Sequence, residues 1–238
     1  MKKFLHVIGA TVLLVAIAAG CTATEEAAVK LDDPKQRISY TIGLNIGRDF
    51  ASQEIDIDAV ALLAGVRDGL GGEKQRLTDE EMLAEIKTFR ETMEAQQEAK
   101  YQALAAKNRS EGEAFLAANA KEAGVVVRDS GLQYKVLTEG SGPTPQADSV
   151  VSVHYRGTLI DGTEFDSSYE RNEPLRLPVG GVIPGWTEAL TLMKEGSKWQ
   201  LFIPAELAYG EEGAPPVIGP NATLLFEIEL LSAAAKRE

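Results

Sequence analysis

The chain has 238 residues, enough for two modest domains, and its 36 acidic and 24 basic residues give a net charge of −12. This acidic balance argues against nucleic acid as the main partner, because binding to phosphates requires a basic face. Histidine occurs only at His6 and His154, and cysteine only at Cys21. Such a chain is unsuited to a His-rich zinc site or a Cys-His dyad, so we expect neither a metal nor a cofactor.

Residues 1–20 have the three parts of an export signal. Lys2 and Lys3 precede an apolar run over residues 7–17, and small residues follow before Cys21. The run is too short and wrongly flanked for a transmembrane helix. We therefore expect a removable signal peptide over 1–20 and a protein located in the periplasm or at the outer membrane.

Cys21 is the candidate lipidation site. Small residues directly before it resemble a bacterial lipoprotein signal, although Ala18 stands where leucine is commonest. Acylation would attach the protein to a membrane, and Thr22 in place of Asp favours the outer membrane. Ordinary signal-peptidase cleavage after residues 16–18 is the alternative. Residues 21–30 are small, polar and acidic, which predicts a flexible tether.

Residues 31–76 carry two helical patterns. Apolar residues recur every four positions from Ile38 to Phe50, and a second amphipathic run over 56–70 ends at two glycines. Gly43 and Gly47 have a small-x-x-x-small spacing, which suits either helix dimerisation or a local close crossing. A segment of this length buries only a small core by itself. We therefore predict that residues 31–76 form a helical dimerisation region.

A long helix is expected over residues 77–122. Thr78 and Glu81 form a capping box at its start, and no proline interrupts it. At ~1.5 Å per residue it would extend about 60 Å and project outward, with a solvated charged face. Gly112 is its weakest point, at about 1 kcal/mol relative to alanine. Its apolar stripe over 82–93 fits either packing on the preceding helices or a homodimer interface.

From Gly124 onward the apolar period changes to two, the spacing of half-buried strands. A short helix, from about 185 to 193, interrupts the strands and turns Trp186, Leu190 and Met193 inward. The pattern predicts an antiparallel sheet wrapped around one short helix. The alternating runs are Leu132/Tyr134/Val136, Val151/Val153/Tyr155, Trp199/Leu201/Ile203 and Leu224/Phe226/Ile228/Leu230.

Several ordered motifs in this half resemble the FKBP-type peptidyl-prolyl isomerases over residues 123–232. The preceding helices and export signal resemble the Mip-like and FkpA-like branch of that family, whose members are dimers with an N-terminal helical domain and a long connecting helix. The resemblance implies an α+β protein with an FKBP-like domain over 123–232 and a tail over 233–238. The motifs are Val153-His154-Tyr155-Arg156-Gly157, residues 161–168 (DGTEFDSS), Val182-Ile183-Pro184-Gly185-Trp186, Ala208-Tyr209-Gly210 and residues 221–226 (NATLLF).

The resemblance also implies roles for individual residues. Trp186 would form the floor under the proline ring of the substrate. The backbone N–H of Ile183 and the hydroxyl of Tyr209 would bind substrate carbonyls. Asp166 would orient Tyr155 and the twisted amide, with Arg171 as its partner. The pocket walls would be Tyr155, Phe165, Val182, Ile183 and Phe226, and Val217 and Ile218 would belong to a covering loop.

Three positions differ from the family pattern. Leu175 stands where an aromatic wall is frequent, Ala214 replaces a loop histidine or aromatic residue, and the Gly180-Gly181 segment lacks an acidic side chain. The floor of the pocket is unaffected. We therefore do not assign the family's substrate preference or its affinity for inhibitors to this chain.

The expected function is catalysis of Xaa-Pro rotation during the folding of exported proteins. The partners would be unfolded or proline-containing polypeptides and, through the N-terminal helices, a second copy of the chain. Two alternatives stay open at this point. The helical dimer could act as a holdase or surface adhesin with isomerase activity secondary, or the chain could be a purely structural envelope lipoprotein.

Overall fold

The computed structural model describes residues 30–72 and 75–234. The chain divides into two compact units, residues 1–77 and residues 78–238, and each is considered by itself. The predicted signal peptide, Cys21 and almost all of the predicted tether lie outside the described residues. Among the described helices, none is both long enough and apolar enough to cross a membrane.

The first unit contains α1 (Pro34–Ser52) and α2 (Ala59–Gly71), as the apolar periodicity predicts. Asp33 caps α1 in a capping box with Gln36. Asp58 caps α2, which ends at Gly72 in the left-handed conformation. Neither helix has a buried residue, so this unit exposes the apolar faces that the pattern predicts.

In the second unit, α3 (Asp79–Asn119) begins at the predicted capping box of Thr78 and Glu81. The charged face predicted for this helix is exposed, for example at Lys107, Glu111 and Glu113. The prediction that the helix projects outward is wrong for its second half. Ala105, Gly112 and Asn119 are buried there, and the Asn119 amide donates to the Gln133 side chain at 2.8 Å. The second half of the helix packs against the sheet region through these small and polar residues and through Phe115, whose ring centroid lies 6.0 Å from that of Phe202.

The second unit also contains a seven-stranded antiparallel sheet in the order β1-β2-β6-β7-β3-β4, with β5 paired to β3. The predicted alternating runs lie in β2, β3, β6 and β7, whereas the other three strands were not predicted. The strands are β1 (Val125–Val127), β2 (Gln133–Thr138), β3 (Val150–Leu159), β4 (Glu164–Ser167), β5 (Leu175–Pro178), β6 (Lys198–Ile203) and β7 (Leu224–Ala234).

The core lies between the sheet and the short helix α4 (Pro184–Leu190). Trp186, Leu190 and Met193 are buried in it, as predicted from their spacing. Gly185 allows the close approach of α4 to β6, because a Cβ atom there would lie 2.5 Å from the Ile203 side chain. The helix thereby holds the Trp186 indole against the inner face of the sheet.

Candidate active site

A cavity of about 710 Å³ opens on the inner face of the sheet. Four residues that line the cavity were not proposed as site residues from the sequence, namely Leu177, Gly181, Ala214 and Pro216. Arg171 contributes at its edge through contacts described below, and Cys21 lies outside the described residues. The sequence-predicted residues that line the cavity are Tyr155, Phe165, Asp166, Leu175, Val182, Ile183, Trp186, Tyr209, Val217, Ile218 and Phe226.

Aromatic rings packed edge to face form the deep part of the cavity. Trp186 meets Tyr155 at a centroid distance of 5.2 Å and an interplanar angle of 81°. It meets Phe226 at 5.1 Å and 82°, and Phe226 meets Phe165 at 5.5 Å and 84°. Perpendicular packing of this kind fixes each ring by its neighbours. The result is a rigid, largely apolar surface.

Gly157 makes this aromatic packing possible. It lies on β3 directly opposite Phe226 of β7 and Asp166 of β4. A Cβ atom at this position would lie 2.6 Å from the Phe165 ring and 2.8 Å from the Phe226 ring. The sequence motif contained Gly157 without indicating its role, because the requirement arises only when three strands come together.

One polar cluster interrupts the apolar wall. The hydroxyl of Tyr155 donates to one carboxylate oxygen of Asp166 and accepts a hydrogen bond of 2.8 Å from Arg171. A second nitrogen of Arg171 donates to the other oxygen of Asp166. The guanidinium carbon lies 5.8 Å from the centre of the Tyr155 ring. The three side chains, here called the Tyr-Asp-Arg triad, form a closed triangle of charge-assisted hydrogen bonds.

The triad holds fixed protonation states at neutral pH. Burial alone would raise the pKa of Asp166, but the hydrogen bonds from Tyr155 and Arg171 outweigh it and lower that pKa. Burial and the bond to Asp166 raise the pKa of Tyr155. Hydrogen bonds to Asp166 and Tyr155 raise the pKa of Arg171. The site therefore presents a carboxylate, a neutral phenol and a guanidinium across the physiological pH range.

Ser168 fixes the backbone of Tyr155 from behind the pocket. Its fully buried hydroxyl accepts the Tyr155 backbone N–H at 2.8 Å, and its own N–H donates to the Tyr155 carbonyl at 3.0 Å. His154 Nδ1 also contacts this hydroxyl at 2.9 Å. These bonds fill the gap on the β3 edge between its pairings with β5 and β4. A second serine after Asp166 was the only sequence signal for this role.

Ile183 stands directly before α4 as its N-cap residue, and Pro184 occupies the first turn. The N–H of an N-cap residue lies outside the hydrogen-bond pattern of the helix. Ile183 lines the cavity, so the start of α4 forms part of the pocket wall. Trp186, two residues beyond Pro184, enters the floor of the pocket from the same turn.

Residues 209–223, here called the pocket loop, border the cavity. Ala214 and Ile218 exchange backbone hydrogen bonds of 2.8 and 3.1 Å near its tip. Ile218 is buried, whereas Tyr209 and Val217 are each 44% exposed. The segment 211–216 is thus more than a plain surface turn, because Ala214 and Pro216 line the cavity. The Tyr209 ring stands at the rim, partly open to solvent.

Comparisons with known proteins give the family of the chain. Residues 142–231 match the family model of the FKBP-type peptidyl-prolyl cis-trans isomerases, and residues 35–136 match that of the domain amino terminal to these isomerases. The chain is 42% identical over 228 residues to the outer membrane protein MIP of Legionella longbeachae, covering 96% of this chain and 97% of the relative. It is 40% identical over 224 residues to the peptidyl-prolyl cis-trans isomerase Mip of Coxiella burnetii, covering 94% and 96%.

Among solved structures, the crystal structure of FkpA from Escherichia coli matches with a TM-score of 0.74 and 40% sequence identity. The match covers 87% of this chain and 99% of that one. The apolar cavity, the order of its lining residues along the chain and these similarities define one class of protein. The chain belongs to the FKBP-type peptidyl-prolyl cis-trans isomerases, and it is an enzyme that accelerates rotation about Xaa-Pro peptide bonds.

Proposed function

We propose that catalysis takes place in the aromatic cavity and involves no covalent intermediate. The observation that carries this proposal is the combination of edge-to-face rings with a single polar triad of fixed protonation states. Uncatalysed rotation faces a barrier of ~18–20 kcal/mol, because resonance stabilises the planar imide. Resonance also separates charge, and rotation reduces that separation. An apolar wall therefore favours the twisted imide over the planar one, which is differential binding of the transition state.

The proposed roles of individual residues are those that the family resemblance implies, and the positions of these residues around the cavity support them. Trp186 supports the proline ring, and the neighbouring aromatic and aliphatic side chains enclose it. The Ile183 N–H and the Tyr209 hydroxyl bind carbonyl groups on either side of the rotating bond. Asp166, fixed by Tyr155 and Arg171, faces the twisted amide. The enclosing side chains are Tyr155, Phe165, Leu175, Val182, Val217, Ile218 and Phe226.

A protease-coupled assay with a chromogenic Xaa-Pro peptide tests these roles. Asp166→Leu is expected to lower kcat/KM by about 10- to 100-fold, because it removes two charge-assisted hydrogen bonds and leaves the Arg171 guanidinium without its carboxylate. Asp129→Leu is the matched control, since Asp129 is exposed and does not line the cavity. Full activity of the Asp166 variant would exclude the proposed role of the triad.

A homodimer joined through α1 and α2 is the proposed assembly. Ile38, Ile42 and Ile46 form one face of α1, and they are 55%, 53% and 40% exposed. Val60 and Leu70 of α2 are 80% and 86% exposed. Contiguous apolar surface of this kind is unusual on a monomer and suits a self-complementary interface. A second copy would cover the surface that one chain leaves open.

The proposed clients are unfolded exported proteins, in the periplasm or at the outer membrane. Two sites on one dimer would bind two prolines of the same chain, so weak affinities would combine through effective concentration. Lipidation of Cys21 would attach the protein to the membrane. Labelling of cells with a fatty-acid analogue tests this attachment, with Cys21→Ser as the control variant. Equal labelling of both proteins, or of neither, would exclude lipidation at Cys21.

A further inference from the structure

The second half of α3 meets the pocket loop through a row of hydrogen bonds. The Tyr101 hydroxyl donates to the backbone carbonyl of Glu211. The Asn108 side chain donates to the carbonyl of Pro220 at 2.8 Å. In the opposite direction, the Asn221 side chain donates to the α3 carbonyl of Ala105 at 3.4 Å. Backbone carbonyls of an irregular loop need partners of this kind, and α3 supplies them.

Two glycines allow α3 and the pocket loop to come into close contact. A Cβ atom on Gly112 of α3 would lie 2.3 Å from the Thr223 hydroxyl oxygen. A Cβ atom on Gly219 of the loop would lie 3.0 Å from the Asn108 amide nitrogen and 3.3 Å from Leu104. Gly112 is buried although it lies in the middle of a helix. Its position is explained by this contact, despite its low helix propensity.

The contacts with α3 lie at the base of the pocket loop, where Tyr209 also lies, and the other pocket residues lie toward its tip. The base is closed by the Asn221 N–H, which donates to the Gly210 carbonyl at 2.9 Å. The tip is formed by the hydrogen-bonded pair Ala214 and Ile218, both of which line the cavity. A loop that is held by these hydrogen bonds at its base and at its tip moves largely as a rigid body. A shift at its base therefore moves the rim of the cavity.

We propose that Tyr101, Asn108 and Gly112 are positioning residues for catalysis. They hold the pocket loop in place beside the aromatic floor of the cavity. None of them lines the cavity, so they act through Tyr209 and Ile218. The inference rests on the proposed function of the cavity. It also gives α3 a second role, since the helix that connects the two parts of the chain is at the same time a support of the active site.

The contacts differ in expected importance. Arg109 also pairs with Glu211 at 3.1 Å, but their side chains are 54% and 83% exposed, and exposed ion pairs contribute little. Asn108 is half-buried and Gly112 is buried, so the loss of their contacts is not compensated by water to the same degree. Asn108 and Gly112 are therefore the positions at which the proposal is tested.

The first test is Asn108→Ala in the full chain, assayed with the chromogenic peptide. We expect kcat/KM to fall on the order of 3- to 10-fold, the rate factor that corresponds to one lost hydrogen bond. Gln97→Ala removes an exposed amide from the first half of the same helix and is expected to leave kcat/KM unchanged. Asn119→Ala removes a buried bond to β2, away from the loop, and is expected to lower thermal stability without lowering kcat/KM.

The second test adds a methyl group on the helix and then shortens the side chain that it meets on the loop. Gly112→Ala improves helix propensity but places a methyl group against the Thr223 hydroxyl, so we expect lower kcat/KM than wild type. Thr223→Ala in the same chain removes that oxygen, and the double variant is expected to recover most of the activity. If α3 were only a connector, Gly112→Ala would keep full activity and raise the melting temperature, and that result would overturn the proposal.

Amide hydrogen exchange separates this inference from the proposed function, because it does not depend on activity. In Asn108→Ala, the amides of Ala214 and Ile218 are expected to exchange faster, while that of Val153 in β3 keeps its wild-type rate. Inactive wild-type protein with this exchange pattern would refute the proposed function and retain the role of α3. Wild-type exchange at the loop amides together with wild-type kcat/KM would refute the role of α3.

Discussion

The first two helices and the sheet use their apolar residues in opposite ways. Leu201, Ile203 and Leu224 of the sheet are completely buried within one chain. Ile38 and Ile42 of α1, which have the same chemical character, are more than half exposed. The sheet region thus closes its own core, whereas α1 and α2 present a surface that requires a partner. The stability of the sheet should be a property of one chain, and that of the helices a property of protein concentration.

The largest expected effect is on the core of the sheet. Leu201→Ala should lower the free energy of unfolding by about 2–5 kcal/mol, because it removes buried methyl groups and leaves a cavity. Both tryptophans of the chain, Trp186 and Trp199, lie in this region, so urea titration followed by tryptophan fluorescence reports on it. The loss should be independent of protein concentration.

Leu137→Ala is the matched control for this change, since Leu137 belongs to β2 but is 44% exposed. An effect within about 0.5 kcal/mol is expected there. A concentration-dependent midpoint for the fluorescence change would contradict the view that the sheet region is stable by itself.

The second effect is on assembly. Ile46→Glu places a charge on the exposed apolar face of α1, so it should halve the mass measured by analytical ultracentrifugation. Isomerisation of a short peptide should be unchanged, because one site suffices for it. Catalysis of proline-limited protein refolding should fall at least tenfold, since two linked sites no longer bind one chain.

Thr41→Glu serves as the control for assembly. Thr41 lies on the polar stripe of α1 that also carries Arg37 and Arg48, so a new carboxylate is tolerated there. Equal masses for the Ile46 variant and the wild type would show that this face of α1 does not form the interface.

A smaller effect is expected at the rim of the site. Arg171→Ala removes the hydrogen bonds to Asp166 and Tyr155, but the arginine side chain is 50% exposed and water replaces part of the interaction. We expect kcat/KM for the peptide to fall by only about 2- to 5-fold. A loss as large as that of Asp166→Leu would mean that Arg171 contacts the substrate directly.

The smallest effect is that of pH. The pKa of Asp166 lies below its ordinary value of 3.8, so the stability from its contacts is complete above that pH and is lost as pH falls through the lower folded pKa. The pKa of Tyr155 lies above its ordinary value of 10.0, so the phenol stays neutral until still higher pH. Peptide kcat/KM should therefore vary less than about twofold between pH 5 and 9. A steep change near pH 7 would indicate a titrating group outside the triad.

Much of the architecture could be predicted because it depends on local chemistry. The capping box at Thr78 is a short sequence pattern, and it predicted where α3 begins. The box at Asp33 that begins α1 is equally local but was not predicted. The alternating runs of β3 and β7 are long enough to show their period. Strands β1 and β4 have only three and four residues, too few for a period to be seen. Their positions depend on pairing with longer neighbours.

The aromatic site was predictable for a different reason. Its members are single residues within recognisable motifs, so Trp186 and Asp166 could be named without knowing their contacts. Gly157 and Ser168 were not assigned roles from the sequence. Their roles come from contacts with two aromatic rings and with the backbone of Tyr155, and these contacts form only when the strands come together. The division of the chain into separate domains at 77 and 122 remains a prediction. In the structure, α3 and the sheet belong to the same compact unit.

The sequence by itself determined which segments are helices or long strands and which residues line the aromatic cavity, because capping, periodicity and motif order depend on neighbouring positions. Only the tertiary structure decided the function of the second half of α3. The face of that helix toward the pocket loop combines Tyr101, Ala105, Asn108 and Gly112 with the aliphatic side chain of Leu104, and this mixture forms no apolar stripe. Small and polar residues identify an interface only when the backbone they approach is in place, and that backbone lies 110 to 112 residues further along the chain.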